Sequence, residues 1–311
     1  KMPLVDIDDL RALLNDIANR GKEISTKYGN VATTSVGAIQ RRLLVLEEQG
    51  ATHFFGEPAL DINDFLRIAP DGRGVINVLS ADKLMEAPRV YATFLLWLLS
   101  KLWQTLPEIG DQPKPKLVFF FDEAHLLFDD APKPLMDRIE QIARLVRSKG
   151  VGVYFITQNP ADVPRTVASQ LNNRIQHRLN AFTPQDQAGI DAAAKTFRQN
   201  PQLNTEQVIK ELKVGEALVS MLENKGEPSI VQRTLIRPPE ARIGPVSPDE
   251  RRGVIEYSPY YGKYEERMDR ESAKEILGQR AESSAKEAEA GGGVGDWLGG
   301  VLGGGRSGTT G

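Results

Sequence analysis

The sequence predicts an α/β fold in which a mainly parallel sheet is flanked by helices. Two continuous apolar runs, KLVFFF at 116–121 and VGVYFIT at 151–157, have the length and composition of strands that are covered on both faces. Between them, Leu135, Ile139 and Ile142 recur at helical spacing. The resulting strand, helix and strand pair their strands in parallel, so both strands end at the same edge of the sheet.

A helical N-terminal portion, residues 1–70, is predicted to precede this sheet. It includes SVGAIQRRLLVLEEQG at 35–50, whose apolar residues repeat at helical spacing before a terminal glycine. GVINVL at 74–79 then predicts a short buried strand, and the apolar segment at 92–103 predicts a buried helix. That segment contains Lys101 and is shorter than the ~20 residues a membrane-spanning helix needs, so we expect no stable membrane insertion.

The residues after the second apolar run predict further elements of the same domain. NRIQHRL at 173–179 alternates polar and apolar residues, as a half-exposed strand does. Thr183, Pro184 and Asp186 have the spacing of an N-cap, a first-turn proline and a capping-box acid. EALVSMLENKGEPSIVQRTLI at 216–236 predicts two strands around a turn, which we expect to complete the sheet.

The C-terminal part of the chain differs in composition from the rest. Prolines interrupt regular structure from about residue 238, and the following residues are rich in Glu, Arg and Lys. We expect an extended, charged C-terminal arm at 241–289, either as a helix docked on a neighbour or as a solvated arm. The glycine-rich tail at 290–311 is predicted to be disordered.

Composition excludes several classes of site. The 311 residues contain no cysteine, which excludes disulfides, thiolate metal sites and cysteine nucleophiles. The formal net charge of -3 provides no global basic field, so any contact with nucleic acid requires a local patch. The three histidines form no H-E-x-x-H motif, so a zinc site is not predicted. The absence of cysteine fits a reducing cytoplasm, where we expect the protein, and no signal peptide is predicted.

Polar side chains follow both apolar runs at the predicted edge of the sheet. Asp122 and Glu123 come directly after the first run, and Thr157, Gln158 and Asn159 end the second. In nucleotide-hydrolysing α/β proteins, an acid at this position can hold Mg²⁺ and a second acid can orient or deprotonate the attacking water. A polar residue on the neighbouring strand can contact the γ-phosphate. The two motifs together therefore predict a nucleotide site, with Thr157 and Gln158 as nucleotide-contacting residues.

A resemblance to a known family rests on these residues. FFFDEAHLLF, RSKGVGVYFITQNPADVP and QLNNRIQHRL resemble the C-terminal part of the HerA and FtsK group of ring-forming, RecA-like motor ATPases. The sequence is most similar to a bacterial, formerly uncharacterised branch, the HerA-like helicase C-terminal domain proteins. The similarity extends from about residue 29 to residue 264. It implies that residues 71–240 form a RecA-like P-loop NTPase core that lacks its Walker A segment.

The resemblance also implies roles for individual residues. Asp122 would be the Walker B ligand of Mg²⁺, through a bound water, and Glu123 would be the catalytic base that acts on ATP. Gln158 would be the sensor. An arginine finger is implied, with Arg174 as the first candidate and Arg178 as the second. The implied assembly is a homo-oligomer, a hexameric ring that acts on DNA as a helicase or translocase.

One departure from the family pattern concerns the phosphate loop. G-x-x-x-x-G-K-[ST] does not occur: the sequence NRGKEIST has Gly21 and Lys22, but Glu23 follows and no glycine lies five residues before Gly21. The chain opens with Lys1 followed by Met2. We therefore expect a fragment whose phosphate loop lies upstream and which alone is inactive.

Two alternatives remain open. A catalytically inactive ring-assembly or adaptor module would keep the sheet without a phosphate loop. The letters DEAH also fit a DEAH-box helicase, although no Q-x-x-G-R-x-G-R motif follows. DNA binding would need a local basic patch, for which the candidates are Arg144, Arg147, Lys149, Arg165, Arg174 and Arg178.

Overall fold

The computed structural model describes residues 2–110, 112–129, 131–223 and 226–301, with the backbone alone described at 145–147 and 288–301. Contacts divide the chain into two compact units. Unit 1 contains the residues up to 60 together with those from 255 onward, and unit 2 contains residues 61–254. The predicted segments 1–70, 71–240, 241–289 and 290–311 remain predictions.

The secondary structure alternates helices with short strands. The helices are α1 (Ile7–Asn19), α2 (Gly21–Tyr28), α3 (Thr33–Glu48), α4 (Ala51–Phe54), α5 (Asp82–Met85), α6 (Pro88–Thr105), α7 (His125–Phe128), α8 (Lys133–Leu145), α9 (Arg165–Ala168), α10 (Pro184–Lys195), α11 (Thr205–Glu211), α12 (Pro248–Glu256) and α13 (Ala273–Val301). The strands are β1 (Leu117–Phe121), β2 (Val151–Phe155), β3 (Arg174–Gln176), β4 (Glu216–Ser220) and β5 (Gln232–Leu235). Single 3₁₀ turns span Ile62–Leu66, Val146–Lys149 and Pro160–Asp162.

Unit 1 is helical and joins both ends of the described chain. The apolar faces of α1 and α3 meet around Leu14, Val36 and Leu43, which are all buried. The first residues of α13 pack on α1, where Asp9 accepts hydrogen bonds from the backbone N–H of Lys274 and the hydroxyl of Ser272. Helix α13 extends to Val301 and so includes the first part of the segment predicted to be disordered. Residues 302–311 lie outside the described residues.

The strands of unit 2 form two separate sheets. β1 and β2 pair in parallel, with Leu117 opposite Val151 and Phe121 opposite Phe155, as the apolar runs predict. β3, β4 and β5 form an antiparallel sheet of their own. The prediction of an α/β fold with a parallel sheet and helices is confirmed, whereas the prediction that β3, β4 and β5 complete that sheet is wrong for the described residues. An alternating pattern indicates which residues are extended, but it does not specify the edge to which they pair.

Two further predictions about burial are wrong. Residues 74–79 form no strand beyond a single bridge between Ile68 and Gly74, and Ile76 and Val78 are 89% and 87% exposed. The β1–β2 sheet is also not covered on both faces, because Phe120 and Tyr154 are 64% and 51% exposed on one of them. Their rings stack on each other with centroids 4.6 Å apart. Continuous apolarity therefore identified these strands without showing that both faces are covered.

The helices around the parallel pair follow the sequence pattern. α6 buries Val90, Phe94, Leu95, Leu98 and Leu102 and packs on α8, which buries Leu135, Ile139 and Ile142. α10 begins with the predicted capping box between Thr183 and Asp186. Among the described helices, none is both long enough and apolar enough to cross a membrane.

Candidate functional site

The turn after β1 has an unusual backbone conformation. Glu123 has φ +47°, and it is the only non-glycine residue with positive φ in the described part of the chain. Its N–H donates to Asp122 Oδ1 over 3.0 Å. The next N–H, of Ala124, donates to the carbonyl of Ile156 over 2.8 Å, just beyond β2. The left-handed residue lies in a turn that is tied to the neighbouring strand, and such strain is concentrated at functional sites in proteins.

The carboxylate of Glu123 contacts the side chain that ends the neighbouring strand. Gln158 Nε2 donates to Glu123 Oε1 over 3.2 Å and to Oε2 over 3.3 Å. The acid and the amide therefore lie together at the edge of the sheet, as the parallel pairing predicts. A third side chain joins them, because His125 Nδ1 lies 3.3 Å from Glu123 Oε2. The side chain of Glu123 is 40% exposed and that of His125 is 30% exposed.

The loop after β2 is held by its own side chains. Thr157 Oγ1 donates to Asp162 Oδ2 over 2.8 Å, so its hydroxyl is engaged within the loop. Asn159 Oδ1 accepts a hydrogen bond from the N–H of Ala161 over 3.1 Å. Gly189 of α10 packs against this amide, and a Cβ at Gly189 would lie 3.1 Å from Asn159 Oδ1. Helix α10 thus contacts the loop that carries Gln158.

The two arginines predicted as fingers have different surroundings. Arg174 is half-buried, and its guanidinium donates to the carbonyls of Leu171 over 3.2 Å and Ala168 over 3.0 Å. Burial lowers the pKa of Arg174. Arg178 lies beyond β3, is exposed, and has no hydrogen bond or ion pair with any residue that the structure describes. Arg174 is therefore engaged in structural contacts, whereas Arg178 is available to a partner.

The predicted basic patch is smaller than the sequence indicates. Lys149 is only 7% exposed, and its ammonium donates to the carbonyl of Leu106 over 2.7 Å and lies 4.6 Å from the ring centroid of Trp103. The side chain of Arg147 lies outside the described residues. Three exposed arginines of the predicted patch remain, namely Arg144, Arg165 and Arg178.

Asp122, at the end of β1, could contribute one carboxylate oxygen to a magnesium site. Among the described residues, no group of three or more His, Asp or Glu side chains is placed to hold a metal on its own. Mg²⁺, however, is commonly bound through one or two carboxylates together with waters and substrate phosphates. Asp122 is exposed, and its Oδ1 accepts the N–H of Glu123, which leaves Oδ2 for such an ion.

Two other parts of the molecule do not contribute to this site. The segment with Gly21 and Lys22 forms the start of α2 and follows a helix, not a strand, so it has no phosphate-loop geometry. A surface cavity of about 800 Å³ lies between α10 and α11, lined by residues such as Asp191, Lys195 and Glu206. Its lining includes neither of the acids after β1.

Sequence reasoning did not identify three of these contacting residues. His125 was given no role, because its contact with Glu123 depends on the positive φ of that residue, which the sequence does not indicate. Asp162 and Gly189 had no signal of their own, because their roles depend on how the loop after β2 folds and on the helix that packs against it.

This chain is similar to proteins that are described as helicases. Residues 1–294 match the family described as Helicase HerA-like C-terminal. Probable helicase MJECL08 of Methanocaldococcus jannaschii is 34% identical over 149 residues, which is 43% of this chain and 28% of the relative. The chain thus matches less than a third of the length of that relative.

Two solved structures are similar to part of this chain. The genome packaging NTPase B204 from Sulfolobus turreted icosahedral virus 2, in complex with AMP, is 20% identical with a TM-score of 0.31, covering 57% of this chain and 73% of that chain. The same protein in complex with ATP-gammaS is 19% identical with a TM-score of 0.32, covering 59% and 76%.

Proposed function

Because the chain belongs to the HerA-like helicase C-terminal family, we propose that it forms the Walker B and sensor part of a Mg²⁺-dependent, ATP-hydrolysing motor that acts on DNA. The observation that carries the proposal is the contact between Glu123 and Gln158. It brings an acid and an amide together at the carboxyl ends of two parallel strands, which is where α/β folds bind ligands.

Each residue at the strand end has a defined role in this proposal. Glu123 orients the attacking water and accepts its proton, while the water oxygen bonds to the γ-phosphorus and the bond to the ADP oxygen breaks. Gln158 contacts the γ-phosphate or the water and links its presence to the loop after β2. Asp122 would hold Mg²⁺ through a bound water, and the ion would neutralise charge on the phosphate oxygens.

We propose Arg178 as the first candidate for the arginine finger and Arg174 as the second. A finger must reach the nucleotide of a neighbouring subunit in a ring, and the exposed Arg178 is free to do so. Arg174 would have to give up two hydrogen bonds to carbonyls. The hexameric ring and DNA as the substrate are parts of this proposal, as is a phosphate loop outside residues 1–311.

The test compares ATP hydrolysis by the intact gene product and by its Glu123→Gln variant. The amide keeps the shape of the side chain but cannot accept the proton, so we expect a loss of at least about 100-fold in kcat while ATP binding persists. Glu48→Gln, at an exposed position on α3, is the matched control and should hydrolyse ATP normally. Equal activity of Glu123→Gln and the wild type would refute the proposal.

DNA binding is tested separately through its dependence on salt. Contacts between basic side chains and phosphates release counterions, so the affinity for duplex DNA should fall steeply as salt rises. Arg144→Ala and Arg165→Ala should each reduce the slope, whereas Arg178→Ala, at the proposed finger, should leave it unchanged. A complex whose affinity does not change with salt would contradict this part of the proposal.

A catalytically inactive ring-assembly or adaptor module is the second candidate. The observation that favours it is that the 311 residues contain no G-x-x-x-x-G-K-[ST] motif. The coding DNA immediately upstream of Lys1 distinguishes the two, because a motor requires this motif between a strand and a helix. The family match favours either of these over a DEAH-box helicase.

A further inference from the structure

His125 lies at the start of α7, two residues beyond Glu123, with Nδ1 3.3 Å from Glu123 Oε2. We propose that His125 is a positioning residue that, together with Gln158, holds the carboxylate of Glu123 in a single orientation toward the attacking water. This inference rests on the proposed function, because it assigns the residue that orients the proposed base. It gives the fourth residue of DEAH, His125, a chemical role.

The positions of the donors distinguish the two oxygens of the carboxylate. Oε2 accepts a hydrogen bond from Gln158 Nε2 and also has His125 Nδ1 3.3 Å away, whereas Oε1 accepts from Gln158 Nε2 alone. Each carboxylate oxygen has two acceptor sites, so Oε1 keeps one site free. The side chain is 40% exposed, and water can therefore reach it. Oε1 is thus the oxygen that accepts the proton of the attacking water.

The backbone explains why a positioning residue is needed. Glu123 has a left-handed conformation that is uncommon outside glycine, and the turn is tied to Ile156 through the N–H of Ala124. That conformation sets the direction of Cβ but not the side-chain torsions of a long acid. The hydrogen bonds from Gln158 on one side and the ring of His125, 3.3 Å from Oε2, on the other restrict those torsions.

The contact requires one tautomer of His125. A carboxylate only accepts hydrogen bonds, so Nδ1 must carry a proton, and in the neutral ring Nε2 is then an acceptor. The tautomer can be read from imidazole ¹⁵N spectra of this chain, which has three histidines. We expect a protonated Nδ1 for His125, and loss of this tautomer preference in Glu123→Ala. His53→Ala, in unit 1, assigns one other ring and should leave the His125 signals unchanged.

Kinetics of the intact gene product provide the second measurement. His125→Ala should lower kcat for ATP hydrolysis by about 10–100-fold with KM unchanged, as is typical when a group that orients a reacting residue is removed. His125→Asn places an amide N–H near the position of Nδ1 and should restore most of kcat. Thermal unfolding of each variant shows whether the protein as a whole still folds.

The outcomes separate the two proposals. A His125 ring protonated at Nε2 alone overturns the inference, whatever the activity. So does a His125→Ala variant with wild-type kcat, or one in which His125→Asn gives no rescue. If the wild-type gene product hydrolyses no ATP, the proposed motor function fails, and the tautomer measurement by itself then decides whether His125 holds Glu123.

Discussion

Replacing Asp9 with alanine should release the start of α13 from α1. Asp9 is only 1% exposed, and its carboxylate accepts N–H groups from Val5 over 2.7 Å, Asp6 over 3.3 Å and Lys274 over 2.8 Å, together with the hydroxyl of Ser272. Burial raises the pKa of Asp9, but these four hydrogen bonds together outweigh it and leave the pKa lowered. The carboxylate therefore stabilises unit 1 in its charged form.

The magnitude follows from the donors that would lose their partner. The hydroxyl of Ser272 can turn to Glu275, to which it also donates, so its loss costs little. The two short backbone contacts, from Val5 and Lys274, have no comparable substitute. A fully buried donor without a partner costs about 1–3 kcal/mol, but both contacts are part-buried and water replaces part of each, so the variant should lose about 1–3 kcal/mol of local stability in all.

Hydrogen exchange is the assay, because it reports local opening in a chain with more than one unit. The amides at the start of α13 should exchange faster in Asp9→Ala by a factor that corresponds to this free energy. Asp8→Ala is the matched control: its ion pair with Lys274 Nζ is exposed, and such pairs contribute about 0–1 kcal/mol. Unchanged protection of α13 in Asp9→Ala would refute the reasoning.

Three further predictions concern unit 2. Arg174→Ala should lower the free energy of unfolding by about 1–3 kcal/mol, because it removes a charged donor from two carbonyls. Arg178→Ala should change this free energy by less than about 0.5 kcal/mol. Equal effects of the two variants in urea denaturation would contradict the structural role of Arg174. Gly189→Ala should shift the NMR amide resonances of the loop after β2, because its Cβ crowds that loop, and unshifted resonances would show that α10 does not contact it. A side-chain hydrogen bond from Arg242 lowers the pKa of Glu250 to about 2, so their contact should be complete above pH 4.5 and lost only as the pH falls toward 2. A carboxyl ¹³C titration with a midpoint near the ordinary value of 4.5 would contradict it.

The sequence was sufficient to predict those elements whose structure depends on nearby residues. β1 and β2 have continuous apolar runs, and the helix between them has a regular apolar stripe, so parallel pairing followed from chain connectivity. The same connectivity predicted that Glu123 and Gln158 lie together. The capping box of Thr183 and Asp186 was also predicted correctly, because it depends only on local spacing.

Where the structure depends on distant partners, the sequence was not sufficient. Residues 74–79 have the apolar composition of a short buried strand, yet no other strand of the described chain pairs with them. Arg174 belongs to an alternating segment, but its burial and its carbonyl partners depend on how β3 packs beside α9. His125 was missed because the positive φ of Glu123 turns the chain sharply, and nothing in the letters DEAH indicates that conformation.

The assignment of both chain ends to unit 1 has a consequence for folding during synthesis. The residues of unit 2 are contiguous, so this unit can fold once residue 254 has left the ribosome. Helices α1 to α4 emerge first, but Asp9 must wait for Ser272 and Lys274 before its hydrogen bonds are complete. The earliest helices to be synthesised are therefore expected to be the last to reach their final stability.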